Sequence, residues 1–220
     1  MAKKSKIFSL KLLPLDIARF ICGALIPILR LKRVRPDGTP YKEKLRGGAV
    51  IAANHTKFSD PFVVGTTFWY RRSFFFVAEA VMRNRFLAWL LRGAGAIKVE
   101  REKVDIEAIK KSVKVLKEGR LLIIFPQGAI TQTENVESIK SGAALMALQA
   151  GVPILPMHIC KKPHWYSRTR VVIGEKIDPA ALCQKKMPSV ADIQNITDAL
   201  MNEMRRCDPV LADAAEKEQV

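Results

Sequence analysis

Cysteine and histidine are scarce in this chain. Four cysteines among 220 residues are widely scattered with no CxxC pair, and only three histidines are present. A disulfide framework and a zinc site both need closely grouped ligands, so neither is indicated. We therefore expect no metal and no cofactor, and the scattered free thiols are typical of a reducing cytoplasm.

The basic N-terminal segment also lacks a long hydrophobic run. Its longest uncharged run, Phe20 to Leu29, has ten residues, whereas a helix that crosses a bilayer needs about 20. No small-residue cleavage pattern follows it, which argues against a signal peptide. Apolar residues flanked by lysines and arginines within residues 1–34 instead predict one or two amphipathic helices lying in a membrane interface. The alternative is a soluble helix packed on the domain.

Acidic residues are outnumbered, with 37 Lys and Arg against 21 Asp and Glu and a net charge of +16. Such an excess predicts an anionic partner. Residues 1–46 hold twelve basic and three acidic side chains. The basic runs lack the interleaved aromatics that stack on bases, so no nucleic acid partner is expected. An anionic membrane surface fits better and predicts a peripheral or monotopic protein on the cytoplasmic face of the cell membrane.

The chain does have the composition of a packed domain, with 49% apolar residues, and it alternates short and long apolar segments. The short segments are continuous, which is typical of strands buried on both faces. They lie at 49–53, 74–78, 96–99, 121–125, 152–159 and 170–173. The long, amphipathic segments predict helices at 61–71, 84–92, 104–118, 136–150 and 190–207. We expect an α/β fold with a mainly parallel sheet flanked by helices.

The predicted organisation has four parts. Residues 1–34 would form the membrane-docking helices, residues 35–48 a linker, residues 49–208 the α/β domain and residues 209–220 an acidic tail. Three predicted helices run into a glycine, at Gly93, Gly119 and Gly151. Each glycine is expected to end its helix in the left-handed conformation that a residue without a Cβ adopts easily.

Three polar loops follow predicted strands. They read NHTKFSDPF (54–62), ERE (100–102) and PQGAIT (126–131). Because the carboxyl ends of parallel strands share one edge of a sheet, where ligands bind, we expect His55, Arg101 and Gln127–Gly128 to gather there.

The first loop predicts an acid–base pair. Asp60 followed by Pro61 is typical of a helix start, with Asp60 at or near the N-cap. Its carboxylate could accept an N–H from His55 and leave the other ring nitrogen as a base for a hydroxyl or thiol. The pair could instead activate water, or serve Thr56, Ser59 or Cys160 as the nucleophile of a hydrolase. No G-x-S-x-G nucleophile elbow is present, however.

Four sequence blocks carry a family resemblance. NHTKFSD (54–60), GAIKVER (95–101), FPQGAIT (125–131) and VPILP (152–156) occur in this order across about half the chain. They resemble the four blocks of the glycerolipid acyltransferases, the 1-acylglycerol-3-phosphate acyltransferase group, whose first block is NHx4D and whose third is FPEGTRS. The basic amphipathic N-terminus is also similar to the membrane-docking helices of that family.

The resemblance implies a reaction and a set of roles. A fatty acyl group would move from a thioester, acyl-CoA or acyl carrier protein, to the free hydroxyl of a lysophospholipid, above all 1-acylglycerol-3-phosphate, giving phosphatidic acid in phospholipid biosynthesis. His55 would be the general base, held by Asp60. Arg101 would bind the acceptor's phosphate, and the backbone around Gly128 would donate N–H groups to the oxyanion.

The third block departs from the family pattern. Gln127 and Ile130 stand where the family has glutamate and arginine, and isoleucine cannot bind a phosphate. Either Lys98, Lys103 or Lys140 supplies the missing charge, or the acceptor head group differs from a simple phosphate monoester. A degenerate relative that only binds lipid is a further alternative, against which the retained histidine and aspartate argue.

Overall fold

The computed structural model describes residues 13–55, 57, 59–100, 105–126, 136–160, 168–183 and 188–208, with the backbone alone at 28–29 and 136–140. Its α-helices are α1 (Leu13–Ala24), α2 (Ile26–Leu29), α3 (Asp60–Thr67), α4 (Arg85–Gly93), α5 (Ile106–Lys117), α6 (Val136–Ala150), α7 (Pro179–Leu182) and α8 (Val190–Cys207). Its strands are β1 (Lys32–Val34), β2 (Ala49–Ala53), β3 (Ser73–Ala78), β4 (Ala96–Val99), β5 (Leu121–Ile124), β6 (Ile154–Ile159) and β7 (Arg170–Ile173). A 3₁₀ turn, Glu79–Arg83, joins β3 to α4.

The strands form one sheet in the order β1-β7-β6-β2-β5-β3-β4. All neighbours are parallel except β6 and β7, which are antiparallel. The central strands β2 and β5 are buried along their whole length. Their continuous apolar sequences follow from this, because each face of the sheet is covered by helices. The predicted α/β fold with a mainly parallel, helix-flanked sheet is confirmed.

Helices cover both faces of the sheet. On one face, α5, α6 and α8 pack on the side chains of Val50, Leu122 and Ile154. On the other face, α3 packs on Ile51 and its neighbours, and α4 packs over β3 and β4. Phe75 of β3 contacts the clusters under both α3 and α4, so these two helices lie on the same face.

The N-terminal segment and the linker are more closely joined to the domain than the sequence indicates. Helix α1 packs on α3 and α4, Leu15 is buried, and residues 32–34 of the predicted membrane segment form β1 beside β7. Tyr41 and Leu45 of the predicted 35–48 linker are buried in the core. The α/β unit therefore includes residues before 49. The acidic tail, 209–220, lies outside the described residues.

A partly buried ion pair fixes α1 to the start of β3. The guanidinium of Arg72 donates to both carboxylate oxygens of Asp16, at 2.9 and 2.7 Å. These hydrogen bonds hold the pKa of Asp16 below its usual value. Gly93 lets α4 approach the same helix, because a Cβ there would lie 3.1 Å from Pro14. In the described part of the chain, no helix has both the length and the apolar character to span a bilayer.

Glycines end two helices as predicted but not the third. Gly119 and Gly151 have φ of +76° and +64°. Gly93 is still part of α4, and the left-handed residue is Gly95, with φ +96°. The reason is packing at the base of β4, because a Cβ on Gly95 would lie 2.6 Å from the carbonyl oxygen of Ser73.

We expect Gly95→Ala to lower the free energy of unfolding by about 3 kcal/mol, since it adds a backbone clash to the cost of positive φ. Gly38→Ala is the matched control: its φ is +82°, but a Cβ there meets nothing within 4 Å, so a loss of about 1 kcal/mol is expected. Urea denaturation of both variants measures the difference. Equal losses would show that the contact with Ser73 is relieved at no cost.

Candidate active site

The site begins where β2 ends. Asn54, the first residue of the NHx4D block, is 4% exposed. Its amide donates to the carbonyl oxygen of Ile159 at 3.1 Å and accepts from the N–H of Ile159 at 2.7 Å. These two bonds join the carboxyl ends of β2 and β6. They fix the backbone immediately before His55, so the position of the histidine is set by the sheet.

His55 and Asp60 meet as predicted. The Nδ1 atom of His55 lies 3.1 Å from Oδ2 of Asp60. That carboxylate is 3% exposed and also accepts the backbone N–H of Lys57 at 2.7 Å. Because an ionised carboxylate only accepts hydrogen bonds, Nδ1 carries the proton, and Nε2 is the ring nitrogen that can take one. The His55 side chain is 19% exposed, so it has access to a reactant.

The start of α3 supports this geometry in a slightly different way from that predicted. Ser59 is the N-cap, and Asp60 is the first helical residue, followed by Pro61. The Asp60 side chain therefore turns back toward the loop, where it bonds Lys57 and His55. A carboxylate at this position also interacts favourably with the positive end of the helix dipole.

An aromatic ring packs against the face of the imidazole. Phe125, directly after β5, stacks on His55 with ring centroids 4.4 Å apart and planes inclined by 27°. Stacking limits rotation of the histidine ring, and the carboxylate fixes its tautomer. No sequence pattern marks Phe125 as part of the site. Its place at the end of an apolar strand that leads into one of the three polar loops was the signal that could have found it.

Several predicted substrate-binding residues lie outside the described part of the chain. These are Arg101, Gln127 and Gly128. The topology still constrains where their loops begin, because β4 and β5 run parallel to β2 and end at the same edge of the sheet. The edge predicted for the three loops is therefore the edge that carries His55.

Of the three lysines proposed to supply charge, Lys103 lies outside the described residues, and the other two occupy different positions. Lys98 is on β4, the edge strand, separated from β2 by β5 and β3, and its ammonium donates to Glu79 at 2.8 Å. It lines a cleft of about 470 Å³ together with Lys110 and Lys111. Lys140 is in α6, where only the backbone is described. The described contacts thus bring neither lysine to the histidine.

Two other residues whose side chains could take part in chemistry, Cys160 and His158, have structural surroundings. Cys160, a candidate nucleophile, packs against the Val34, Val172 and Cys207 cluster, and burial raises the pKa of its thiol. His158 lies 3.8 Å from Asp208, and burial lowers the pKa of its imidazole. A protonated thiol is a poor nucleophile, so these surroundings do not favour Cys160 as the nucleophile of a hydrolase.

Comparison with known proteins identifies the family. The family model described as Acyltransferase matches residues 33–160, which include the histidine–aspartate pair and more than half of the chain. The chain belongs to the Acyltransferase family. The resemblance of its four blocks to glycerolipid acyltransferases is thereby confirmed.

Two curated relatives of this family member are named 1-acyl-sn-glycerol-3-phosphate acyltransferase. The one from Streptococcus pneumoniae is 30% identical over 165 residues, which cover 72% of this chain and 60% of that protein. The one from Bacillus subtilis is 25% identical over 196 residues, which cover 85% of this chain and 94% of that protein. The chain thus matches about three fifths of the first relative and nearly all of the second.

A solved structure shares the fold. The 1-acyl-sn-glycerophosphate acyltransferase PlsC from Thermotoga maritima superposes on the chain with a TM-score of 0.54 at 20% identity, covering 88% of this chain and 78% of that one. At this identity the similarity bears on architecture alone. It agrees with the mostly parallel, helix-flanked sheet found here.

We expect Asn54→Ala to lower the free energy of unfolding by about 2 to 4 kcal/mol, because it leaves the buried N–H and carbonyl of Ile159 without partners. It should also lower turnover, since the backbone next to His55 loses its anchor. The control is Asn84→Ala, which removes an exposed N-cap whose side chain accepts from Leu87 and should cost about 1 kcal/mol. Urea denaturation compares the two. Equal losses would contradict the structural role given to Asn54.

Proposed function

We propose that this chain transfers a fatty acyl group from an acyl thioester to the free hydroxyl of a lysophospholipid, with 1-acylglycerol-3-phosphate as the preferred acceptor and phosphatidic acid as the product. The observation that carries the proposal is the His55–Asp60 pair at 3.1 Å, within the residues that match the Acyltransferase family. The names of the two curated relatives support the choice of acceptor.

The proposed chemistry depends on Nε2 of His55, the ring nitrogen that does not bond Asp60. Nε2 of His55 takes the proton of the acceptor hydroxyl as its oxygen attacks the thioester carbonyl, and Asp60 stabilises the imidazolium that forms. The tetrahedral intermediate then collapses, the carbon–sulfur bond breaks, and the imidazolium returns the proton to the departing thiolate. An ester and a free thiol result. No covalent acyl-enzyme is needed, so one base serves both halves of the reaction.

The remaining site roles are proposals that rest on the family resemblance. Arg101 would bind the acceptor's phosphate, for which a guanidinium is suited by its paired donors. Backbone N–H groups around Gly128 would stabilise the oxyanion, and Gln127 would add a hydrogen bond. Lys98 and Lys140 would contribute positive charge from the edge strand and from α6. The donor would be acyl-CoA or acyl carrier protein.

The substrates of this reaction reside in membranes, so we also propose a peripheral or monotopic location on the cytoplasmic face. The outward side of α1 supports this. Leu13, Ile17, Phe20 and Ile21 are exposed there at i, i+4, i+7 and i+8, which forms one apolar stripe. Such a stripe on a strongly basic protein favours binding at an anionic interface.

One assay separates a transferase from a thioesterase. The full chain is given acyl-CoA, with and without 1-acylglycerol-3-phosphate, and free thiol is followed over time. A transferase releases thiol only when the acceptor is present, and phosphatidic acid appears in equal amount. Thiol release at the same rate without acceptor would favour the hydrolase alternative, in which water takes the place of the hydroxyl. Repeating the assay with lysophospholipids of other head groups tests the acceptor.

We expect His55→Ala to lower kcat by about 10²- to 10⁴-fold, the usual contribution of a general base. His158→Ala is the matched control, because His158 is a half-buried histidine that packs beside Asp208 rather than Asp60. Acyl transfer to the lysophospholipid is measured for both variants, and circular dichroism checks their folding. If the His55 variant kept most of its turnover, the base assignment would be wrong.

A further inference from the structure

Exposed apolar side chains are concentrated on one side of this molecule. Of the fourteen large hydrophobic residues that are exposed in the described chain, eleven lie on α1, α3, α4 or the segments that directly follow or precede them. The exceptions are Ile106, Leu182 and Val190. Monomeric soluble proteins rarely expose such contiguous groups unless the surface binds something.

Helix α4 contributes the largest exposed side chains. Phe86 is 72% exposed, Trp89 67% and Leu90 51%. Their i, i+3, i+4 spacing puts them on one side of the helix. The opposite side meets the sheet through Ala88, which is buried, and Leu91. The helix therefore turns its small residue inward and its two aromatic rings outward, the reverse of an ordinary surface helix.

The exposed side of α4 adjoins that of α1. Both α3 and α4 lie on the same face of the sheet, and α1 packs on both of them. Pro14 of α1 contacts α4 at Gly93. Phe62 of α3 and Trp69 just after it are also exposed, and Trp69 packs on Gly23 of α1. We call the outer surface of α1, α3 and α4 the apolar face.

The charges around α4 indicate what binds there. Arg83, Arg85 and Arg92 are exposed, and α4 contains no acidic residue. Arginines beside exposed tryptophan and phenylalanine are typical of helices that lie at the level of lipid head groups, where guanidinium groups meet phosphates and aromatic rings enter the acyl boundary. A protein partner needs no such combination, whereas an anionic bilayer favours both components.

We infer that α4 is a second membrane-binding element, and that the apolar face as a whole docks on an anionic phospholipid bilayer through Phe86, Trp89 and Leu90 in addition to the stripe on α1. This inference extends the membrane association within the proposed function and does not depend on acyl transfer. Two helices that contact the bilayer at separate points fix the orientation of the domain, which a single helix would leave free to roll.

The fixed orientation has a consequence for access to the site. Helix α4 is preceded by the 3₁₀ turn that follows β3, so α4 starts near the edge of the sheet that carries His55. Helix α3 begins at Asp60 itself, and Phe62 on its first turn is exposed. The apolar face therefore reaches the catalytic edge. A lysophospholipid could move from the bilayer along this face to the histidine without crossing water.

The test uses the full chain and sedimentation with vesicles of equimolar phosphatidylcholine and phosphatidylglycerol. Replacing Phe86→Ser and Trp89→Ser together should lower the partition coefficient by about 10- to 100-fold, the loss expected for two aromatic side chains removed from a lipid interface. The matched control is Ile106→Ser with Val190→Ser. These residues are 61% and 85% exposed on α5 and α8, which cover the other face, and the control should sediment as the wild type does.

Two further variants separate the components of binding. Trp89→Phe keeps an apolar ring, so it should bind vesicles normally but lose part of the blue shift in tryptophan fluorescence that vesicles produce. Replacing Arg83, Arg85 and Arg92 by Gln should weaken binding at low salt and reduce its salt dependence. Thermal melts of all variants check folding, which the exposed positions on α4 should leave unchanged.

Unchanged sedimentation of the Phe86→Ser, Trp89→Ser variant would overturn the inference. So would a dimer in light scattering that this variant dissociates while vesicle binding persists, since a second copy would then cover α4. Failure of the proposed function looks different: the wild type would bind vesicles but show no acceptor-dependent thiol release. His55→Ala should bind vesicles as the wild type does, because His55 is not part of the apolar face.

Discussion

The rest of the site depends on the hydrogen bonds that the carboxylate of Asp60 accepts. It is buried, it accepts the backbone N–H of Lys57, and it holds Nδ1 of His55. A buried charge is stable only when it is paired or hydrogen-bonded, so the loop must bend until its donors reach the helix start. The same contacts that satisfy the carboxylate also orient the ring of His55.

Helix α3 connects this site to the apolar face of the protein. Its first residue is Asp60, its inner side packs on the central strands through Val63, Val64 and Phe68, and α1 lies against its outer part. Any shift of α3 would therefore move the Asp60 carboxylate and the proposed docking surface together. In the proposed function, the distance between the bilayer and His55 is set by this short helix and the sheet beneath it.

The pair was predictable because two independent signals converge on it. A buried strand ending at Ala53 and a helix start at Asp60 leave a loop too short for His55 to lie far from that carboxylate. Phe125 escaped notice because stacking depends on which strands are neighbours, and β2 and β5 are far apart in sequence. Strand β1 escaped because it has only three residues, of which Val34 alone is apolar and buried, so it carries no apolar run. The predicted linker failed to reveal that Tyr41 and Leu45 enter the core, since isolated apolar residues have no period.

Sequence periodicity predicts that α4 is a helix, but it does not predict which side of the helix faces the core. The pattern RFLAWLLRG (85–93) is amphipathic, and amphipathicity predicts a helix without stating which side meets the core. In the structure, Ala88 and Leu91 pack against β3 and β4, and the larger rings of Phe86 and Trp89 lie outside. Burying the rings of Phe86 and Trp89 in the core would remove more apolar area from water than burying Ala88 does. Their position on the surface is explained if they enter a lipid phase instead of the core.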